Sequence, residues 1–179
     1  MSPFLRVWAR WLIPVLLIVL AIGVVRANLA YVESAPARSD FVARWEGANA
    51  WVRQRQSPYD PAVSQAAQER VYGRPANEAR GEDPQHFLYP FPSLIIFGPL
   101  GFLEFGTAQA VWMSLIELAM FVSTLLWASS IQWKWSGWMA AVVLAFSVLW
   151  FPAFAAIVQA QFAALEALLL AASLAAILR

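Results

Sequence analysis

Cysteine is absent from all 179 residues, so neither a disulfide framework nor a thiolate metal site is available. A single histidine, His86, excludes a multi-histidine metal centre within the chain. Charge is scarce: 13% of residues are charged, against about 25% in an ordinary soluble domain. The net charge of +1 leaves no basic footprint for nucleic acid, so no nucleic-acid partner is expected. What the chain has in abundance is apolar surface, with 61% of its residues hydrophobic. The balance predicts an all-α integral membrane protein, read as one membrane domain over 1–179.

The apolar runs predict about four transmembrane helices. Residues 11–25 are uncharged, and a helix can continue past a snorkelling Arg26 to Tyr31, so 11–31 is the first span. Residues 107–130, broken only by Glu117, 137–157, without charge, and 160–178, broken only by Glu166, are the further spans. Residues 91–106 are apolar but short, and Pro92, Gly98, Pro99 and Gly101 interrupt them, which suits a re-entrant or interfacial segment better than a crossing. Arg6 and Arg10 precede the first span and place the amino terminus in the cytoplasm of a multi-pass plasma-membrane protein, with the 33–90 loop extracytoplasmic. If 91–106 does not cross, Lys134 and Arg179 also fall inside, which favours that layout. Trp127, Trp133, Trp135 and Trp138 then form an aromatic collar at one water boundary. A cleaved signal peptide over 1–37, ending at Ala35-Pro36-Ala37, is the alternative reading; the length of the apolar core and the later spans favour an anchor.

Most of the charge lies in residues 33–88, between the anchor and the second, apolar half. Residues 40–55 read as an amphipathic helix, with Phe41, Trp45, Ala48 and Val52 on one stripe and Arg44, Arg53 and Arg55 off it. Ser39 or Asp40 can cap its start, and Ser57-Pro58-Tyr59-Asp60-Pro61 ends it as a turn. A second short helix is predicted over 62–72, closed by Gly73, followed by irregular loop over 74–86.

Ser39-Asp40-Phe41, Trp45, Gly47-Ala48, Pro58-Tyr59-Asp60 and Tyr89-Pro90 together resemble the start of glycosyltransferase family 87, polytopic enzymes of the GT-C superfamily similar to polyprenol-phosphate-mannose-dependent mannosyltransferases. The resemblance runs from the first span to Arg179. Gln161 matches part of that family's Gly-Gln-x-Asn region, with Ala160 where glycine is usual and Ala163 where asparagine is usual. Family members are longer, so the resemblance implies that this chain is an amino-terminal part. It also implies a GT-C-like fold with a helical extracytoplasmic loop, and transfer of a sugar, mannose by expectation, from a polyprenyl-phosphate donor to a glycan or lipid acceptor, with inversion.

Such a transfer needs a base for the attacking hydroxyl, donors for the leaving phosphate and an apolar groove for the lipid. The resemblance makes Asp40 the base, and a helix cap is the competing reading for the same residue. Arg74 and Arg80 are candidates for the phosphate and His86 for the phosphate or acceptor; Arg44, also in the substrate-binding set, stands one helical turn after Asp40 and can pair with it. Glu82 and Asp83 are candidates to orient an acceptor or, with Asp40, to bind a divalent cation; a solvated loop pair is the plainer reading. No cofactor is otherwise expected. Tyr59, Tyr89 and Gln161 complete the expected substrate-binding set. Glu117 and Glu166 are acids within apolar spans and functional candidates on that ground. A non-catalytic membrane scaffold or assembly subunit, and a transporter fragment, are the competing functional readings.

Overall fold

The computed structural model describes residues 3–34, 39–134 and 136–178; for 3–14, 16 and 17 only the backbone is described. The run Ala35-Pro36-Ala37, the tryptophan at 135 and the last arginine lie outside the described residues, as do the side chains of Arg6 and Arg10. Readings that rest on them stay with the sequence. Among the described residues every regular element is helical, so the chain is all-α.

The first helix, α1, runs Pro3–Ser34, longer at both ends than the 11–31 segment. α2 (Phe41–Asn49) continues into a π-helical turn, Ala50–Gln54, that Arg55 ends in the left-handed region at φ 56°. α3 covers Pro61–Tyr72: Asp60 caps it by accepting from Ala62 N at 2.9 Å, and Gly73 closes it at φ 69°. A 3-10 turn, Phe91–Ser93, leads into the short α4 (Leu94–Gly101). α5 (Phe105–Ser130) is the long central helix, with Glu104 accepting from Gly106 N and Thr107 N at its start. α6 (Gly137–Leu149), α7 (Phe151–Val158) and α8 (Ala163–Ile177) follow.

α5 organises the molecule: α1 packs along one side and α8 along another, while α2 lies against α3, α4 and the start of α5. Trp112 of α5 is the centre of the core, stacked between Phe41 at 6.0 Å and Phe162 at 6.1 Å. Phe97 of α4 closes on the same ring at 5.0 Å. Offset stacks of this kind add about 0.5–1.5 kcal/mol each beyond their buried area.

Two expectations fail for identifiable reasons. The amphipathic reading of 40–55 gives way because Phe41 through Ala48 are all buried, Arg44 among them at 2% exposure. α2 has neighbours on every side and no solvated face. Its polar side chains instead finish α4: Asn49 Nδ2 donates to Gly101 O at 2.9 Å, Trp45 Nε1 to Leu103 O at 3.3 Å, and Arg53 to Phe102 O. These are carbonyls that a helix end leaves without intrahelical partners. The span expected over 137–157 is built of two helices and not one. α6 and α7 meet at 51° with Trp150 extended between them. Pro152 has no N–H for the Val148 carbonyl, and its ring crowds that carbonyl, so the helix breaks just before it.

Among the described residues α5 is long and apolar enough to cross a membrane, and α6–α7 qualifies if the bent pair is one unit. The segment 91–101 and α8 are apolar but shorter.

Candidate functional site

Asp40 stands at the head of α2, but its side chain makes no capping bond. Ser39 does not cap either; its hydroxyl accepts from Gln109 Nε2 at 2.9 Å. The carboxylate of Asp40 instead accepts through Oδ2 from Gln161 Nε2, 121 residues further along the chain. Gln161 lies in the break between α7 and α8, where Ala160 adopts φ 55°. That break is pinned from two helices: the Ala160 carbonyl accepts from Arg44 of α2 and from Trp112 Nε1 of α5 at 2.9 Å.

Arg44 follows Asp40 by one turn, yet the two do not pair. Its Nε donates to Tyr89 Oη at 2.7 Å, its Nη1 to Ala160, and Nη2 has no hydrogen-bond partner among the described residues. A guanidinium buried to this degree usually has a carboxylate beside it. Arg44 has none within ion-pair distance among the described residues.

Asp40, Arg44, Asp83, His86, Tyr89 and Gln161 line one cup of about 230 Å³. Tyr89 and Gln161 also wall a neighbouring chamber of about 620 Å³ that adds Ser93, Phe162 and Glu166. Ile96 and Phe162 carry the wall onward into an apolar groove of about 410 Å³ between α5 and α8, lined further by Trp112, Leu118, Val122 and Leu168. Six of the nine residues singled out in the sequence thus share the cup.

The other three lie apart. Arg74 and Glu82 grip each other, Nη1 to Oε2 at 2.7 Å and Nη2 to Oε1 at 2.6 Å. The Arg74 hydrogen bond, with a second from Asn77 N, lowers the Glu82 carboxyl to about 2. The pair braces the loop and is not part of the cup's lining. Tyr59 is half exposed; its hydroxyl donates to Tyr89 O at 2.7 Å and so holds the backbone of a cup residue from outside. Glu82 is turned to Arg74, and among the described residues no group of three or more His, Asp or Glu side chains is placed to hold a metal.

Of the acids in apolar helices, Glu117 accepts from Asn28 Nδ2 of α1 at 3.1 Å, the same nitrogen that donates to Ser114 Oγ at 3.0 Å. Glu166 lines the middle chamber. Trp127, Trp133 and Trp138 are all exposed.

Sequence reasoning missed the residues of α3 that hold the strap 83–89. Tyr72 Oη donates to Asp83 O at 3.2 Å and accepts from Asp83 N at 3.1 Å; Gln68 Nε2 donates to Pro84 O at 2.7 Å; Ser64 Oγ lies 2.8 Å from His86 Nδ1. Ser64, Gln68 and Tyr72 recur every four residues, so a polar stripe on α3 was visible as a pattern. What it faced was not. No family model matches this chain, and neither a curated protein nor a solved structure matches it.

Proposed function

We propose that this chain is a membrane-embedded glycosyltransferase module. It takes a sugar from a polyprenyl-phosphate donor and delivers it to an acceptor hydroxyl on the extracytoplasmic face, with Asp40 as base. The observation that carries the reading is the Asp40 carboxylate, free of capping duty, held through one oxygen by Gln161, and opening on a polar cup whose wall continues into an apolar groove.

A membrane setting is supported by apolar side chains left in the open. Ile18, Val19 and Leu20 on α1, and Leu169, Leu170 and Ile177 on α8, are each more than half exposed. Patches of that size on a protein in water are aggregation sites or interfaces. We read α1, α5, α6–α7 and α8 as the multi-pass part, with 91–101 dipping from the outer side and the 33–90 loop outside.

The transfer follows from the cup's donors and acceptors. Asp40 Oδ1, opposite the Gln161 contact, takes the proton of the acceptor hydroxyl. The acceptor oxygen forms its bond to the anomeric carbon as the bond from that carbon to the phosphate oxygen breaks. The phosphate keeps the electron pair and leaves on its lipid, its charge met by the spare N–H groups of Arg44 Nη2. One displacement inverts the anomeric centre and asks for one carboxylate. The groove along Leu118, Val122 and Leu168 suits the isoprenoid chain.

The test is hexose transfer from a polyprenyl-phosphate hexose by the full chain in proteoliposomes. Asp40→Asn is expected to lower the rate by about 10²–10⁴-fold, the usual worth of a positioned base. An asparagine variant as active as the parent removes Asp40 from the role of base, whereas a parent that transfers no hexose leaves the scaffold reading of the chain standing.

A further inference from the structure

Ser64 is buried on α3, and its hydroxyl oxygen lies 2.8 Å from Nδ1 of His86. The serines of the apolar helices behave differently: Ser114, Ser123 and Ser173 each donate to the carbonyl four residues back. Ser64 makes no such bond, which leaves its hydrogen available to His86 Nδ1. A neutral imidazole that accepts at Nδ1 carries its proton on Nε2. The strap around His86 is equally constrained. Gln68 and Tyr72 hold Pro84 and Asp83 from the same stripe of α3, and Asp83 Oδ1 accepts from Gln85 N at 2.6 Å, with Gln85 in the left-handed region at φ 54°. With Nδ1 occupied, Nε2 is the nitrogen left for the cup that His86 lines.

We propose that Ser64 is a positioning residue that sets His86 with an Nε2–H donor toward the cup, and that His86 with Arg44 recognises the phosphate of the donor lipid there. The inference rests on the lipid-phosphate reading above. The groups facing His86 are Asp40 and Arg44 from α2, Asp83 and Tyr89 from the strap, Gln161 from the α7–α8 break and Ser64 from α3. Two carboxylates therefore face one guanidinium, and an Nε2–H donor from His86 adds to the cup's capacity to hold an anion.

Because His86 is the one histidine in the chain, its ring nitrogens can be read by ¹⁵N NMR without assignment. The measurement uses the full chain in detergent micelles, purified without a histidine tag. The probe is a short isoprenyl phosphodiester, whose single charge stays fixed across the neutral range; the matching isoprenol is the control. Expected are an Nε2–H tautomer in the neutral protein and a mixture in Ser64→Ala, with restoration in Ser64→Thr. The diester, and not the isoprenol, should move the Nε2 signal. Its affinity should fall about tenfold in Ser64→Ala and at least as far in His86→Asn. A neutral ring protonated on Nδ1, read in the unmodified protein alone, overturns the positioning role of Ser64. Diester binding that leaves the histidine signals unmoved overturns the phosphate role of His86. A parent protein that ignores the diester sinks the lipid-phosphate reading itself, and the tautomer still decides on Ser64.

Discussion

At the scale of single residues, two backbone positions limit what the site can tolerate. Ala160 sits at φ 55°, where a Cβ crowds the following carbonyl and costs about 1–2 kcal/mol. It stays there because Arg44 and Trp112 both hold its carbonyl. Ala160→Gly removes the crowding and adds freedom to the unfolded chain, for a net gain of about 0.5–1 kcal/mol. A thermal melt in detergent should show the rise, and a lowered melting point would contradict the strain argument. Gly101 is the reverse case. A Cβ there would meet the Ala48 carbonyl carbon at 2.7 Å and Asn49 N at 2.8 Å, all backbone of α2. Gly101→Ala forces α2 and α4 apart and should cost about 1–3 kcal/mol, read in the same melt. The loss would reach Asp40, which α2 carries.

At the scale of elements, polar side chains do the joining where apolar surface alone would leave register loose. Asn28 ties α1 to α5 through Ser114 and Glu117. Interhelical bonds of this sort in apolar surroundings average about 0.6 kcal/mol and reach about 1.7. Asn28→Ala should lose about that much, and Glu117→Gln, which keeps an acceptor oxygen for Asn28, should lose less; detergent unfolding curves of the two variants check the order. In the loop, Arg74–Glu82 gives a pH signature whose sign is set by the depressed acid. Glu82 titrates near 2 when folded against 4.5 when free, so the brace is complete above the free value and fades as pH falls toward 2. Protection of the Asn77 amide, which donates to Glu82 at 2.7 Å, should fall over that window and stay level above it, once its exchange rate is divided by the intrinsic rate at each pH. The charge pattern of 74–86 announced a polar loop, but not that this arginine and this glutamate would exhaust each other.

At the scale of the molecule, the cup, the middle chamber and the groove line up because α2, α4, α5 and α8 converge on Trp112. The alignment gives the proposed donor one path, chain below and head above. Val122→Trp narrows the groove far from Asp40. It should weaken a long isoprenyl phosphodiester and leave a short one unchanged, in a competition assay over chain length. Equal loss for both would mean that the groove is not where the chain lies.

The amino-acid sequence by itself determined that the chain is helical and apolar, where the polar loop lies, and that a short helix over 62–72 stops at a glycine, because composition and turn chemistry act over a few residues. It also marked Asp40, Arg44, Asp83, His86, Tyr89 and Gln161 one at a time. Only the tertiary structure decided that these six share a cup, that Arg44 is buried, and that Ser64 meets His86. The break before Pro152 was written in one proline and passed over within a long apolar run. The partnership of Asp40 with Gln161 was written nowhere locally: it joins residues 121 apart, and a contact of that span exists only once the helices between them have packed.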